Sequence, residues 1–273
     1  MLPRVTFSTL ACPHWSIETI VANARAMGYD GIEWRGGADG HINPNATRDE
    51  RTTLRERMRD ANLFSLAVTS YTNFVSDDAN TRAAHVDDLK KYLDLAADLD
   101  AKFVRVFLGE LAPHQTRAEM YPRIVEALQQ CMEHTRQVGV GIAVEHHDDF
   151  VQTAALVPIL DALTDVYIGA VWDIANAHRA NESAPDGIRN LGERISYVQI
   201  KDGIGRGTAW RLTNVGEGDV ELRQAIELLH AQNYRGAFSV EWEYAWHPEL
   251  APPERALPHA LEHLRAWLQQ TWS

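Results

Sequence analysis

The chain has 273 residues, enough for one large domain with a substantial core, and its 45% apolar and 23% charged content is that of a soluble globular protein. A formal net charge of −12 repels phosphate backbones and argues against a nucleic-acid partner. No apolar run reaches the roughly 18 residues of a membrane span. The apolar stretch at residues 5–11 is too short and too polar for a signal peptide, so a cytoplasmic protein is expected.

Residues 5–8 open as a strand. Ser16 is placed to cap a helix that starts near Thr19 and runs to Met27, with Gly28 as its stop. A second strand covers 31–34, a charged helix 47–59 and a third strand 63–68. Apolar residues at helical spacing (Leu89, Leu93, Ala96) mark a helix over 80–99, followed by a strand over 103–107. A long helix spans 117–138, with Pro122 expected in its first turn, where a missing N–H costs little. The β-branched run at 142–144 is a buried strand that stops at Glu145. A helix over 153–163 carries Pro158 and is expected to be kinked or shortened. Then come a strand over 168–172, a short helix over 186–191 and a strand over 195–200. A glycine-rich loop over 203–218, a helix over 220–231, a strand over 237–240 and a closing helix over 253–268 complete the chain. Cys12 and Cys131 lie far apart, outside any metal-binding spacing, and read as free buried thiols.

Eight strands alternating with helices predict a single α/β domain over 1–273, a (β/α)₈ TIM barrel. An open doubly wound sheet is the alternative, but the G-x-G-x-x-G turn that would favour it is missing after the first strand.

Four strands in the second half end in an oxygen-bearing side chain: Glu145, Asp173, Gln199 and Glu241. One acid after a strand is usually a turn residue or a helix cap. Four in succession, in a barrel whose strand C-termini share one face, converge on a point above it. Carboxylates crowded in a low-dielectric pocket repel, and a divalent cation relieves that repulsion. An all-oxygen donor set is hard and suits Mn²⁺ best, with Mg²⁺ or Co²⁺ as alternatives, better than Zn²⁺.

These pieces resemble the xylose-isomerase-like barrel superfamily of sugar (phosphate) isomerases and epimerases. The resemblance lies in Gly28-Tyr-Asp-Gly-Ile-Glu33, Val144-Glu145-His-His147, Trp172-Asp173-Ile-Ala-Asn176, Val198-Gln199-Ile-Lys201-Asp202, Gly216-Glu-Gly218-Asp-Val220 and Ser239-Val-Glu241-Trp-Glu243. It implies that Glu145, Asp173, Gln199 and Glu241 hold one metal ion. It further implies an isomerase or epimerase of a small carbohydrate, with Glu145 and Glu241 moving a proton beside a carbonyl. Gln199 stands where many relatives carry His, and Asn176 where ketose epimerases often carry a substrate-binding His. His147, Lys201, His178 and Glu33 are the candidate substrate contacts; the competing roles are an orienting bond for His147, an ion pair with Asp202 or Glu243 for Lys201, a surface-loop position for His178 and a pairing with Arg35 for Glu33. Arg105 is expected to fill the barrel interior against a carboxylate. Arg206 and Arg211, in the 203–218 loop, could grip an anion. Neither a membrane nor a nucleic acid is expected as a partner, and a homo-oligomer is left open.

Three other readings compete. A dehydratase or other lyase of a cyclic polyol or dehydroshikimate-like compound would use the same metal and expel a hydroxyl, with His147 or Lys201 as proton donor. A barrel that binds sugar or metal without turnover is the second. The third is an abasic-site endonuclease, which needs histidines where Phe107-Leu108, Asn176 and Gln199 stand.

Overall fold

The computed structural model describes residues 2–272. Eight parallel strands form a closed barrel: β1 (Val5–Ser8), β2 (Gly31–Arg35), β3 (Phe64–Thr69), β4 (Phe103–Val106), β5 (Gly141–Glu145), β6 (Ile168–Asp173), β7 (Ile195–Ile200) and β8 (Phe238–Val240). Each pairs with its neighbour in sequence, and β8 closes on β1 with Val5 opposite Phe238. The expected TIM barrel is therefore the observed one.

Alternation of side chains sorts each strand into an outer and an inner row. Outward residues such as Ile32, Trp34, Ile142, Val144 and Trp172 pack under the helices in the main core. Inward residues are small or aromatic low in the barrel, where Ala67, Ala143, Val171, Tyr197 and Ala237 cluster. Higher up the inner row turns polar, and that change of character positions the site.

The helices are α1 (Ile17–Met27), α2 (Arg48–Asp60), α3 (Ala79–Asp98), α4 (Arg117–Val138), α5 (Val157–Ala162), α6 (Ile174–Arg179), α7 (Ala184–Leu191), α8 (Leu222–Ala231) and α9 (Pro253–Trp272). Ser16 caps α1 by accepting from the Thr19 N–H, and Gly28 ends it at φ +91°, a left-handed conformation open to glycine. Thr47 and Thr116 each form a reciprocal capping box, with Glu50 and Glu119, at the starts of α2 and α4.

The structure corrects the expectations for Pro122 and the 203–218 loop, bears out the shortening around Pro158 and adds one helix. Pro122 lies inside α4 rather than in its first turn, because the cap is Thr116; the helix continues with one backbone bond missing. The expected helix over 153–163 splits into a 3₁₀ turn at Thr153–Leu156 and the short α5, with Pro158 near the start of α5. Helix α6 follows β6 directly and had no sequence expectation. The 203–218 loop is built on an antiparallel hairpin, Asp202–Ile204 against Arg211–Thr213. Asp202 pins that loop, accepting from the backbone N–H of Gly203, Gly216, Gly218 and Val220. A Cβ on Gly218 would lie 2.1 Å from Asp202 Oδ1, which accounts for the second glycine of the Gly-Glu-Gly run.

No helix among the described residues is long and apolar enough to cross a membrane. Cys12 and Cys131 are free and buried; burial pushes the Cys131 thiol up to about 11, which keeps it protonated and unreactive.

Candidate active site

The C-terminal ends of the strands surround a cavity of about 290 Å³ lined by Arg35, Arg105, Phe107, Glu145, His147, Asn176, Lys201, Glu241 and Trp246 among others. A larger cleft of about 710 Å³ opens at the opposite end, near Arg4, Asp30 and Ser65. The larger cleft sits at the strand starts, away from every residue of the acidic cluster.

Glu145, Asp173 and Glu241 come together at the top of the barrel, each with a carboxylate oxygen within 4.8 Å of the others, and all three are buried. Asp173 combines both roles that an acid after a strand can take. Its Oδ1 caps α6, accepting from the Ala175 and Asn176 N–H at 3.0 Å, and its Oδ2 faces the cluster. His146 fixes the neighbouring strand end. Its Nδ1 lies 2.6 Å from the Val151 carbonyl, so the Nδ1–H donates there and Nε2 accepts the Asp173 N–H.

Gln199 joins the three acids from β7. Its Nε2 donates to Glu33 Oε1 at 3.1 Å and to Glu241 Oε1 at 3.0 Å. Its Oε1 is buried and finds no hydrogen-bond donor. Buried acceptors are rarely left so. An orphaned amide oxygen beside three clustered carboxylates is a donor set that fits a hard divalent cation.

Glu33 is fully buried beneath this group and does not line the cavity. It accepts from Tyr197 Oη at 2.8 Å, Ser239 Oγ at 2.5 Å and Gln199 Nε2. This corrects both readings of Glu33, as a substrate contact and as a partner of Arg35: it orients Gln199 from below. Burial, with the Glu241 charge in addition, pushes its carboxyl up to about 7. Burial likewise raises Glu145 to about 8 against the opposing pull of Arg105, whose Nη1 lies 3.0 Å away. Arg105 thus sits inside the barrel against a carboxylate, as expected, with Phe107 4.1 Å from its guanidinium carbon.

Lys201 is buried and lies 2.8 Å from Asp173 Oδ2, 2.8 Å from Glu241 Oε2 and 2.6 Å from Glu243 Oε1. Burial alone would lower its pKa; the three carboxylates outweigh that and hold it well above the ordinary lysine value. The Glu243 pairing is found, whereas Asp202 turns away into the hairpin. His147 lines the cavity and bonds Asp148 at 2.6 Å. Burial pulls its pKa down, but the Asp148 bond and the Glu145 charge carry it above the usual imidazole value. His178 is buried beside Trp210 and is not part of the cavity wall, which places it away from a substrate there. Neither Arg206 nor Arg211 lines the cavity; Arg206 donates to the His178 carbonyl.

Several cavity residues escaped the sequence reading. Arg35 was considered only as a partner of Glu33, although its spacing of two along β2 puts it on the same inner row, one level higher. Arg179, at the end of the unanticipated α6, and Tyr71 also line the cavity. Asn176 does too, with its Nδ2 3.4 Å from Glu145 Oε1. Of the tryptophans, Trp34, Trp172 and Trp242 are core residues, and Trp246, 55% exposed, stands at the cavity mouth.

The family described as "Xylose isomerase-like TIM barrel" matches residues 21–267. The chain belongs to that family. Among curated relatives, the fructoselysine 3-epimerase of Escherichia coli O157:H7 is 23% identical over 93% of this chain and 94% of its own length. The 3-oxo-isoapionate decarboxylase of Pectobacterium atrosepticum is 23% identical over 68% of this chain and 61% of its own length. Among solved structures, L-ribulose 3-epimerase superposes with a TM-score of 0.84 at 19% identity, covering 99% of this chain and 96% of that one. An IolI protein with a bound zinc atom gives a TM-score of 0.85 at 17% identity, covering 99% of both chains. At those identities the structural likeness establishes the fold.

Proposed function

We propose that this family member is a divalent-metal-dependent isomerase or epimerase of a small sugar or sugar derivative. The observation that carries the reading is the convergence of Glu145, Asp173 and Glu241 within 4.8 Å, with the unpartnered Gln199 Oε1 beside them, where Glu145 and Glu241 line a sugar-sized cavity. The epimerases among its relatives support the reaction class. Glu145, Asp173, Gln199 and Glu241 would hold the ion, and their all-oxygen character favours Mn²⁺, with Mg²⁺ or Co²⁺ next. Such an ion, when bound, acts as a Lewis acid that stabilises the charge of an enediolate.

The chain's own groups divide the remaining work. Glu145 stands on β5 and Glu241 just past β8, on different sides of the cluster. One carboxylate takes the proton beside the substrate carbonyl and the other returns one from the opposite side, which inverts the carbon. Lys201 holds Asp173 and Glu241 at 2.8 Å each and keeps the Glu241 carboxylate aimed. His147 presents its ring at the cavity wall for a substrate hydroxyl, oriented by Asp148. Phe107 and Trp246 offer apolar faces to sugar C–H groups and thin the water around the reacting carbon.

The test is incubation of Mn²⁺-loaded protein with a ketose panel in D₂O. Deuterium incorporated next to the carbonyl, with the product isomeric to the substrate, is expected. Loss of water or carbon dioxide instead would move the assignment to the lyase reading. That reading draws on one observation, the His147 ring at the cavity wall beside Asp148, a proton donor within reach of a leaving oxygen. Metal binding without either reaction would leave a binding protein.

A further inference from the structure

Cations and carboxylates on the cavity wall do not pair off completely. Arg105 is matched by Glu145, and Lys201 by Asp173, Glu241 and Glu243. Arg35 is 6% exposed and has no ion pair among the described residues. Its Nε donates to Tyr71 Oη at 2.9 Å and its Nη1 to the Asp39 carbonyl at 2.9 Å, both neutral acceptors. Its guanidinium carbon lies 4.6 Å from the centre of the Trp246 ring. The fork is therefore held at three points and faces no carboxylate at ion-pair distance. Burying an unpaired charge is costly, and the usual resolution is a counter-charge.

The position of Arg35 says where that counter-charge belongs. In the ring of eight strands, β2 and β6 are diametrically opposite, so Arg35 ends the strand facing the one that ends in Asp173. Arg35 borders the cavity of about 290 Å³ together with Glu145 and Glu241 of the acidic cluster, and Arg179 lines it too, likewise without an ion pair among the described residues. A ligand with its carbonyl end at the acidic cluster extends its far end across the cavity toward Arg35, with Arg179 a second cation on the same wall. We infer that the substrate carries an anionic group, a carboxylate or a phosphate, at the end remote from its carbonyl, and that Arg35, assisted by Arg179, receives it. The inference rests on the reading of this cavity as the sugar site and narrows that reading from sugars in general to acidic ones. The guanidinium fork matches either anion with two parallel hydrogen bonds, which a neutral hydroxymethyl group cannot use.

The experiment is calorimetric titration of Mn²⁺-loaded protein with D-fructose, D-fructose 6-phosphate and 5-keto-D-gluconate, three ketoses whose far ends are neutral, phosphorylated and carboxylated. At least one of the two anionic sugars is expected to bind about tenfold tighter than D-fructose or better. In R35Q that preference is expected to fall below about threefold. The arm that shows the preference tells carboxylate from phosphate. R179Q, an exposed substitution that leaves the fold alone, is expected to reduce the preference about threefold, and it answers the question should R35Q fail to fold. Anionic sugars that bind no tighter than D-fructose, or a preference that survives both substitutions, would overturn the inference. Because binding is read without turnover, the preference can appear with no reaction. Conversely, epimerisation with no preference sinks this inference and leaves the proposed activity standing.

Discussion

The ion pair inside the barrel offers a quantitative test of how the acidic cluster is held. Arg105 and Glu145 are buried, with side-chain exposures of 6% and 2%, and their charged atoms lie 3.0 Å apart. At an effective dielectric of about 20, a pair at that distance attracts by about 5 kcal/mol, much of it offset by the desolvation of both groups. Replacing Arg105 by Met leaves Glu145 in the interior without its principal counter-charge. The cost is expected to be about 3 kcal/mol, limited because a stranded carboxyl takes up a proton rather than remain charged. Removing both charges in R105M/E145Q should return stability to within about 1 kcal/mol of wild type, so the coupling energy is about 2 kcal/mol or more. The assay is urea unfolding of metal-stripped protein near pH 9, above the raised Glu145 value of about 8, so that the pair is fully charged at the outset. Strictly additive costs, with coupling below about 0.5 kcal/mol, would mean that the two groups do not face each other in the folded state and would refute the arrangement.

Other consequences can be checked alongside. Gln199→Leu removes the orphaned oxygen while keeping the side chain's bulk, and should weaken Mn²⁺ binding about 10- to 100-fold with the fold retained in circular dichroism. Glu119 caps α4 by accepting from the Thr116 N–H, and the Thr116 hydroxyl and backbone bonds hold its pKa below the ordinary value of 4.5. A depressed folded pKa gives stability that is present above 4.5 and lost as the pH falls through the folded value. The melting-temperature gap between wild type and E119A should therefore be full at pH 7 and shrink in acid by the part that belongs to the charge.

The strands and the fold class are legible because outward positions such as Ile142, Val144 and Trp172 advertise burial, and β5 and β6 stop at a carboxylate. The convergence of Glu145, Asp173 and Glu241 follows from that fold, since strand ends in a closed barrel share a face. What alternation does not reveal is depth. Glu33 and Arg35 lie on the same inner row, yet one is sealed beneath Gln199 and the other borders the cavity. The height of a residue on one strand relative to another depends on the register and stagger of the whole barrel. Short elements hide for a different reason. Helix α6 has six residues and begins at Ile174, directly after the Asp173 that ends β6, so its periodicity has no room to show. Arg179 at its end was lost with it. The hairpin after β7 is masked by the glycines of the 203–218 stretch, three of which, Gly203, Gly216 and Gly218, donate their N–H groups to Asp202.

The most direct measurement is a calorimetric titration of metal-stripped protein with Mn²⁺, in the wild type and in D173N and E241Q. One ion per chain is expected, with affinity reduced about 100-fold or more in each variant while the fold persists. No saturable binding in the wild type, or binding that ignores both substitutions, would contradict the claim that these strand ends form a metal site.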